Sequence, residues 1–320
     1  FYWIETTPLY FEIPKGFPKP VYDFKNNPLT EEGFQLGRHL FYDPILSKDN
    51  TISCASCHLQ QTGFTHVDHD LSHGIEGKIG TRNSLTLQNL AWSKTFMWDG
   101  GVNHLDVQAI APITSEVEMN ETLENVVSKL QKNEKYQALF EKAFGTKKIT
   151  GQLMLKAISQ FVVMLTTANS KYDKVMRKEQ KFTEIEQKGY NLFKANCASC
   201  HIEPLLTNTK FENNGLAVDT TLNDFGRMKI TQNPNDSLKF KVPSLRNIEF
   251  TFPYMHDGRF KTLTAVVKHY NSGIQKSKTL SKQLQKPMRL SDNERTEIVA
   301  FLKTLTDTEF LFNPRFFYPK

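Results

Sequence analysis

The chain lacks any run of 18 apolar residues, so it carries no sequence signal for a membrane-spanning helix. It also lacks a strong charge of either sign. A formal net charge of +6 gives nucleic-acid binding no support and leaves room only for a small basic patch facing a partner protein. Its first residues, Phe1-Tyr2-Trp3, show no charged stretch followed by an apolar one, so the expectation is that an export signal has been removed or was never included. Cysteine is nearly absent: there are four, none outside two identical pentapeptides. What remains is a globular composition, 39% apolar and 12% aromatic, in 320 residues that suffice for two ordinary domains with separate cores.

The pentapeptides are Cys54-Ala55-Ser56-Cys57-His58 and Cys197-Ala198-Ser199-Cys200-His201. Cys-x-x-Cys-His is the signal for covalent attachment of haem. Two thiols three positions apart can each add to one vinyl group, and the histidine that follows is placed to reach the iron. Cys54, Cys57, Cys197 and Cys200 are therefore the expected attachment points, and His58 and His201 the proximal ligands. A zinc site is the first alternative, but paired zinc ligands usually lie 15–20 residues apart, whereas 143 positions separate Cys54 from Cys197. A redox Cys-x-x-Cys explains neither the histidine nor the second copy. Two haems c bring four propionates, which reduce the net charge to about +2. Because haem c is attached after export, the expected compartment is the periplasm.

The rest of the chain repeats with the pentapeptides. Gly37-x-x-Leu40-Phe41 precedes the first on a predicted helix that Thr30 can cap, with Glu31 and Glu32 in its first turn. Gly189-x-x-Leu192-Phe193 precedes the second. Downstream, Ile158, Phe161, Leu165 and Thr166 match Ile298, Phe301, Leu305 and Thr306 at equal spacings, in segments with helical periodicity. Between them, Leu87, Asn89, Phe96, Met97, Trp98, Asp99, Gly100 and Leu105 correspond to Leu245, Asn247, Tyr254, Met255, His256, Asp257, Gly258 and Leu263, every pair offset by 158 residues. One helical haem domain copied once accounts for this, whereas a solenoid needs more repeats. The expected fold is mainly α, two cytochrome c-like domains packed around an interdomain interface. The division falls at 1–171 and 172–320, within the polar stretch near 168–182.

The copies differ where chemistry would differ. An iron with a proximal histidine has one axial position left, and its occupant decides between electron transfer and reaction with a small molecule. The 158-residue offset sets Tyr270 opposite Pro112, and proline cannot ligate iron. One haem then has a sixth ligand, and the other an open face bordered by Gln108 and Glu118. A carboxylate such as Glu118 can move a proton between the two oxygens of peroxide, and Gln108 can orient it. Glu116 competes for the first role, and an ordinary solvated glutamate is the plain alternative for either.

With these residues in hand, the sequence from about Leu29 to Thr306 resembles the bacterial di-haem cytochrome c peroxidase and MauG family. Phe96-Met97-Trp98-Asp99-Gly100 looks like the family's F-x-W-D-G, whose tryptophan lies between the haems; the resemblance gives Trp98 a relay role, with plain aromatic packing as the alternative. The Gln108…Pro112…Glu118 spacing matches the family's distal pocket, with the carboxylate as acid–base group. Asn83, Thr251 and Pro253 resemble an interdomain calcium site of oxygens and waters, although Asn83 could equally serve a turn. The family's peroxidases have methionine where this chain has Tyr270, and MauG-like members have tyrosine. An anionic phenolate favours higher oxidation states than a thioether does. Met228, Met255 and Met288 are the rival ligands. Peroxidases of the family often carry a distal histidine in the loop His66–His73; His73 sits nearest to it, with spacing to Arg82-Asn83 two residues longer, and solvated loop histidines are the alternative.

The resemblance implies a hydrogen peroxide-reducing enzyme with two covalent haems c and a calcium ion. A small cytochrome c or cupredoxin would feed it electrons, or it would oxidise residues of a protein substrate as MauG does. A non-catalytic electron-transfer cytochrome with two six-coordinate irons is the competing class. The sequence leaves open whether the chain is a monomer or a homodimer.

Overall fold

The structure is a computed structural model that describes residues 5–320. Phe1-Tyr2-Trp3, on which the reading of an export signal rests, lie outside the described residues. Among the described residues, no helix is long and apolar enough to cross a membrane.

Each repeat is built on one pair of packed helices. In the first, helix Glu31–Tyr42 packs on helix Gly151–Val163; in the second, Glu184–Asn196 packs on Asp292–Lys303. The starts follow from side-chain caps: Thr30 Oγ1 accepts from the Gly33 amide at 3.0 Å, and Thr183 and Ser291 each form reciprocal capping boxes with Glu186 and Glu294. Gly37 and Gly189 let the partners touch. A Cβ at Gly37 would lie 1.9 Å from the Ala157 carbonyl oxygen, and one at Gly189 would lie 1.9 Å from that of Glu297. No other residue permits that backbone approach.

The second helix of each pair ends at Val163 and Lys303, short of the matched Leu165 and Leu305. Those leucines are buried just beyond the helix, and their carbonyls accept from the Asn89 and Asn247 amides at 2.9 and 3.0 Å. Both asparagines are left-handed, as Asn most readily is among non-glycine residues. The 158-residue offset continues through single-turn helices at Leu90–Trp92 and Ile248–Phe250, and through bridges Phe96–Val102 and Tyr254–Phe260.

Two apolar cores result. The first gathers residues from Tyr22 to Leu165, and the second from Tyr172 to Leu305. Phe310, Leu311 and Phe316, which follow the second repeat, are buried in the first core. The chain thus crosses back, a feature that a single division at 171/172 does not contain. Arg82 binds Asp99 of its own unit at 2.6 Å and, across the junction, Asp224 at 2.6 and 2.9 Å. A two-stranded sheet, Phe211–Glu212 with Phe240–Lys241, lies at the junction, and the Lys241 amide donates to the Trp98 carbonyl at 2.7 Å.

Candidate functional site: two cavities with a common wall

The repeats enclose two cavities of about 330 and 200 Å³. Cys54, Cys57 and His58 line the first, and Cys197, Cys200 and His201 the second. The cysteines are not joined as disulfides. Each histidine is held from behind: His58 Nδ1 lies 2.8 Å from the Phe64 carbonyl oxygen, and His201 Nδ1 lies 3.1 Å from that of Leu206. The carbonyl fixes Nδ1 as the protonated nitrogen and leaves Nε2 as the lone-pair donor, as an iron ligand requires. Burial pushes both imidazoles down to about 4, so they stay neutral. Two thiols and one neutral imidazole facing each cavity fit a covalently attached haem in both places.

The distal sides diverge. Gln108, Pro112 and Glu118 line the first cavity. Helix Ile110–Thr114 presents Pro112, and the turn after it returns Glu118 to the cavity while Glu116 stays exposed. Burial raises the Glu118 carboxyl above its ordinary value, with the Ser115 side chain pulling the other way. Gln108 Nε2 lies 3.6 Å from Met97 Sδ. Of the two glutamates, only Glu118 lines the cavity.

Tyr270 lines the second cavity, carried on a widened helical turn, His269–Gly273; such π turns recur at functional sites. Asn214 Nδ2 lies 3.5 Å from the phenol oxygen and 3.4 Å from Met255 Sδ, and burial raises the phenol to about 12 in the absence of a metal. Met255 and Met288 line the same cavity, whereas Met228 lines neither.

Trp98 lines both cavities, together with residues 83–86 and 241–244. Its indole N–H donates to the Asn83 carbonyl at 2.9 Å, and its ring meets His256 edge-on at 6.5 Å. His256, its counterpart in the second repeat, stacks on Phe240 at 3.7 Å. The sequence reading missed Lys241 in this wall. Its ammonium reaches the Thr95 carbonyl, has no carboxylate partner among the described residues, and is lowered by burial to about 8. Asn214 was missed too; neither residue belongs to a motif, and both arrive from a distant part of the chain.

Asn83, Thr251 and Pro253 all line the second cavity. The Asn83 amide donates to the His256 carbonyl at 2.7 Å and its Nδ2 to the Asp70 carbonyl at 2.9 Å. Among the described residues, no group of three or more His, Cys, Asp or Glu is arranged to hold a metal ion. The His73 carbonyl accepts from Cys57 Sγ at 3.4 Å, beside the first cavity, while its ring stacks on His69 at 3.9 Å, and His69 lies 5.2 Å from His66. Ring stacking and the bridge from His73 to Ile79 hold it in the loop.

Comparison with known proteins matches residues 31–181 to the family model for di-haem cytochrome c peroxidase and residues 186–306 to that for cytochrome c. The methylamine utilization protein MauG of Methylorubrum extorquens is 36% identical over 92% of this chain and 83% of its own. Cytochrome c551 peroxidase of Nitrosomonas europaea is 36% identical over 85% of this chain and 79% of its own. The crystal structure of a MauG-like protein associated with microbial copper homeostasis superposes with a TM-score of 0.88 at 32% identity, covering 97% of this chain and 99% of that one.

Proposed function

Because the chain belongs to the di-haem cytochrome c peroxidase and MauG family and is a peroxidase-type oxidoreductase, we propose that it reduces hydrogen peroxide in its first cavity with electrons supplied through its second. The observation that carries this reading is the asymmetry of the distal sides, Pro112 with Glu118 in one cavity and Tyr270 in the other, across a wall that holds Trp98. When bound at His58, haem supplies an iron centre that takes peroxide and passes it electrons. Reduction consumes one peroxide, two electrons and two protons and releases two waters.

Glu118 takes the proton from the near oxygen of peroxide and delivers it to the far one, which leaves as water. Its raised carboxyl is suited to both halves of that transfer. Gln108 orients peroxide by hydrogen bonding. Trp98 connects the sites through its ring, held in place by the Asn83 carbonyl. Tyr270, rather than Met255 or Met288, would hold the second haem together with His201, with Asn214 beside its oxygen. Lys241, a cation that lines both cavities, would meet a haem propionate there. Asn83, Thr251 and Pro253 offer neutral oxygens to a calcium ion between the units. His73 serves the loop rather than the iron. The repeats divide near residue 171, with the segment beyond residue 306 docked on the first. Attachment of haem c implies a periplasmic location, and the electron donor is a small cytochrome c or cupredoxin.

One observation favours a second reading, oxidation of residues on a partner protein in the manner of MauG. Tyr270 occupies the second cavity where a thioether would hold a higher potential, which suits storage of oxidising equivalents.

Ferric-protein spectroscopy with added peroxide tests the main reading. A high-spin signal that responds to peroxide is expected. Two low-spin six-coordinate haems that never respond would convert the protein into a plain electron carrier. Trp98→Phe should slow donor-driven turnover about tenfold or more while both haems stay attached; unchanged turnover removes the relay.

A further inference from the structure

The second cavity has a rim in which positive charge stands unbalanced by any nearby acidic residue in the sequence. Between Asp257 and Asp292 the chain contains no acidic residue, and residues 271–291 carry Lys276, Lys278, Lys282, Lys286 and Arg289. Those five cations compare with a net charge of +6 for all 320 residues. All five are exposed, and none forms an ion pair among the described residues. The corresponding stretch of the first repeat, residues 113–150, carries six acidic and six basic residues. The concentration of charge is therefore a property of one haem site and not of the repeat.

The segment is a fixed part of the surface. The Gln275 amide donates to the Gly215 carbonyl at 2.8 Å, Ser281 to Asn213 at 3.1 Å, and Leu290 to the Asn271 side chain at 2.7 Å. Leu280 and Ser281, between the cations, and Leu290, just after the last, are buried. Ser281, Gln283, Leu284 and Met288 line the cavity itself, so Lys282 and Arg289 adjoin its wall in the chain. Unpaired, exposed like charges lower stability through mutual repulsion, and a complementary surface relieves that cost. The spacing over a redox cavity sets where such a surface would sit.

We propose that this rim is the docking face for an acidic one-electron redox protein, which reaches the second haem here. The proposal rests on the peroxidase reading above. Two encounters deliver two electrons; each donor molecule is oxidised by one, and with two protons one peroxide becomes two waters. Charge complementarity of this kind governs encounter rate more than affinity, and it weakens with salt.

The test uses the holoprotein and reduced plastocyanin, an acidic cupredoxin, as the probe. Reduction of the second haem in stopped flow should fall steeply from low to moderate salt. Reversal of four charges, Lys276→Glu, Lys278→Glu, Lys282→Glu and Lys286→Glu, should slow it about tenfold or more. Hydroquinone, a neutral donor, should reduce both proteins at equal rates. An unchanged plastocyanin rate overturns the proposal, as does an equal loss with hydroquinone, or a faster reaction of the parent with a basic cytochrome c. Binding to phosphatidylglycerol vesicles with no change in plastocyanin rate overturns it in favour of a membrane. If the fourfold variant loses its haem spectrum, Lys276→Gln and Lys282→Gln, each with its salt slope, carry the same test. The absorbance response to peroxide without any donor is read separately. Its absence defeats the peroxidase reading and leaves the docking rate measurable.

Discussion

Two cavities grow from one ancestral plan in this molecule, and they keep different parts of it. The proximal side is preserved: the same pentapeptide, a backbone carbonyl behind each histidine, a glycine under each helix pair. The distal side is not. A proline-bearing turn with a buried glutamate faces one cavity, and a tyrosine on a widened turn faces the other. Attachment constrains the proximal face because bonds to haem must form. The distal face carries no such demand, so it is where duplicates can take up separate tasks.

Breaking the distal asymmetry should have the largest effect. Glu118→Gln should cost about 10²–10⁴-fold in steady-state peroxide turnover, whereas Glu116→Gln should leave it within twofold. If the two substitutions cost the same, the assignment of the acid–base group fails. The preserved half can be tested by stability. Gly37→Ala and Gly189→Ala should each destabilise by about 1–3 kcal/mol through overpacking, read as matched losses in denaturation midpoint; a large effect in one repeat alone would break the equivalence of the scaffolds. At Tyr270, replacement by Met should raise the potential of the second haem on the order of 0.1 V, within the roughly 0.8 V that axial ligands span. An unmoved potential would point to Met255 or Met288.

The smallest effect concerns pH. Burial raises the Glu118 carboxyl above its ordinary value of 4.5, and the group accepts a proton only when ionised. Turnover should therefore fall as pH drops through a value above 4.5. The same desolvation makes the ionised group unfavourable to the fold, so the stability that its protonated form retains at low pH is lost as pH rises through the raised value. Glu118→Gln should abolish both dependences, and a titration limb that persists in the variant belongs to another group.

Much of this comparison was legible in the sequence because its parts are local or rhythmic. Haem attachment needs two thiols and a histidine within five residues, and a duplication leaves an offset that can be read by counting. The opposition of Pro112 and Tyr270 came from that offset, and both residues line the cavities to which it assigned them. Contacts with no rhythm were not legible. Lys241 reaches the wall beside Trp98 from 143 residues away, and Arg82 finds Asp224 across the interface. Nothing in either neighbourhood marks a partner that only folding supplies. His73 was legible only as a position: its carbonyl meets Cys57 as the loop's place in the sequence suggests, whereas the stacking of its ring on His69 has no sequence signal.

The segment beyond the second repeat bears on how the protein is made. Phe310 packs on Phe64 at 5.7 Å between ring centroids, Gln60 donates to the Asn313 carbonyl at 2.9 Å, and Tyr42 donates to that of Phe316 at 2.7 Å. Phe64 is the residue whose carbonyl holds His58. The half of the chain that leaves the ribosome first is therefore braced by residues translated after both repeats. Its attachment histidine gains its full support only once residues 310–316 are seated on the first core.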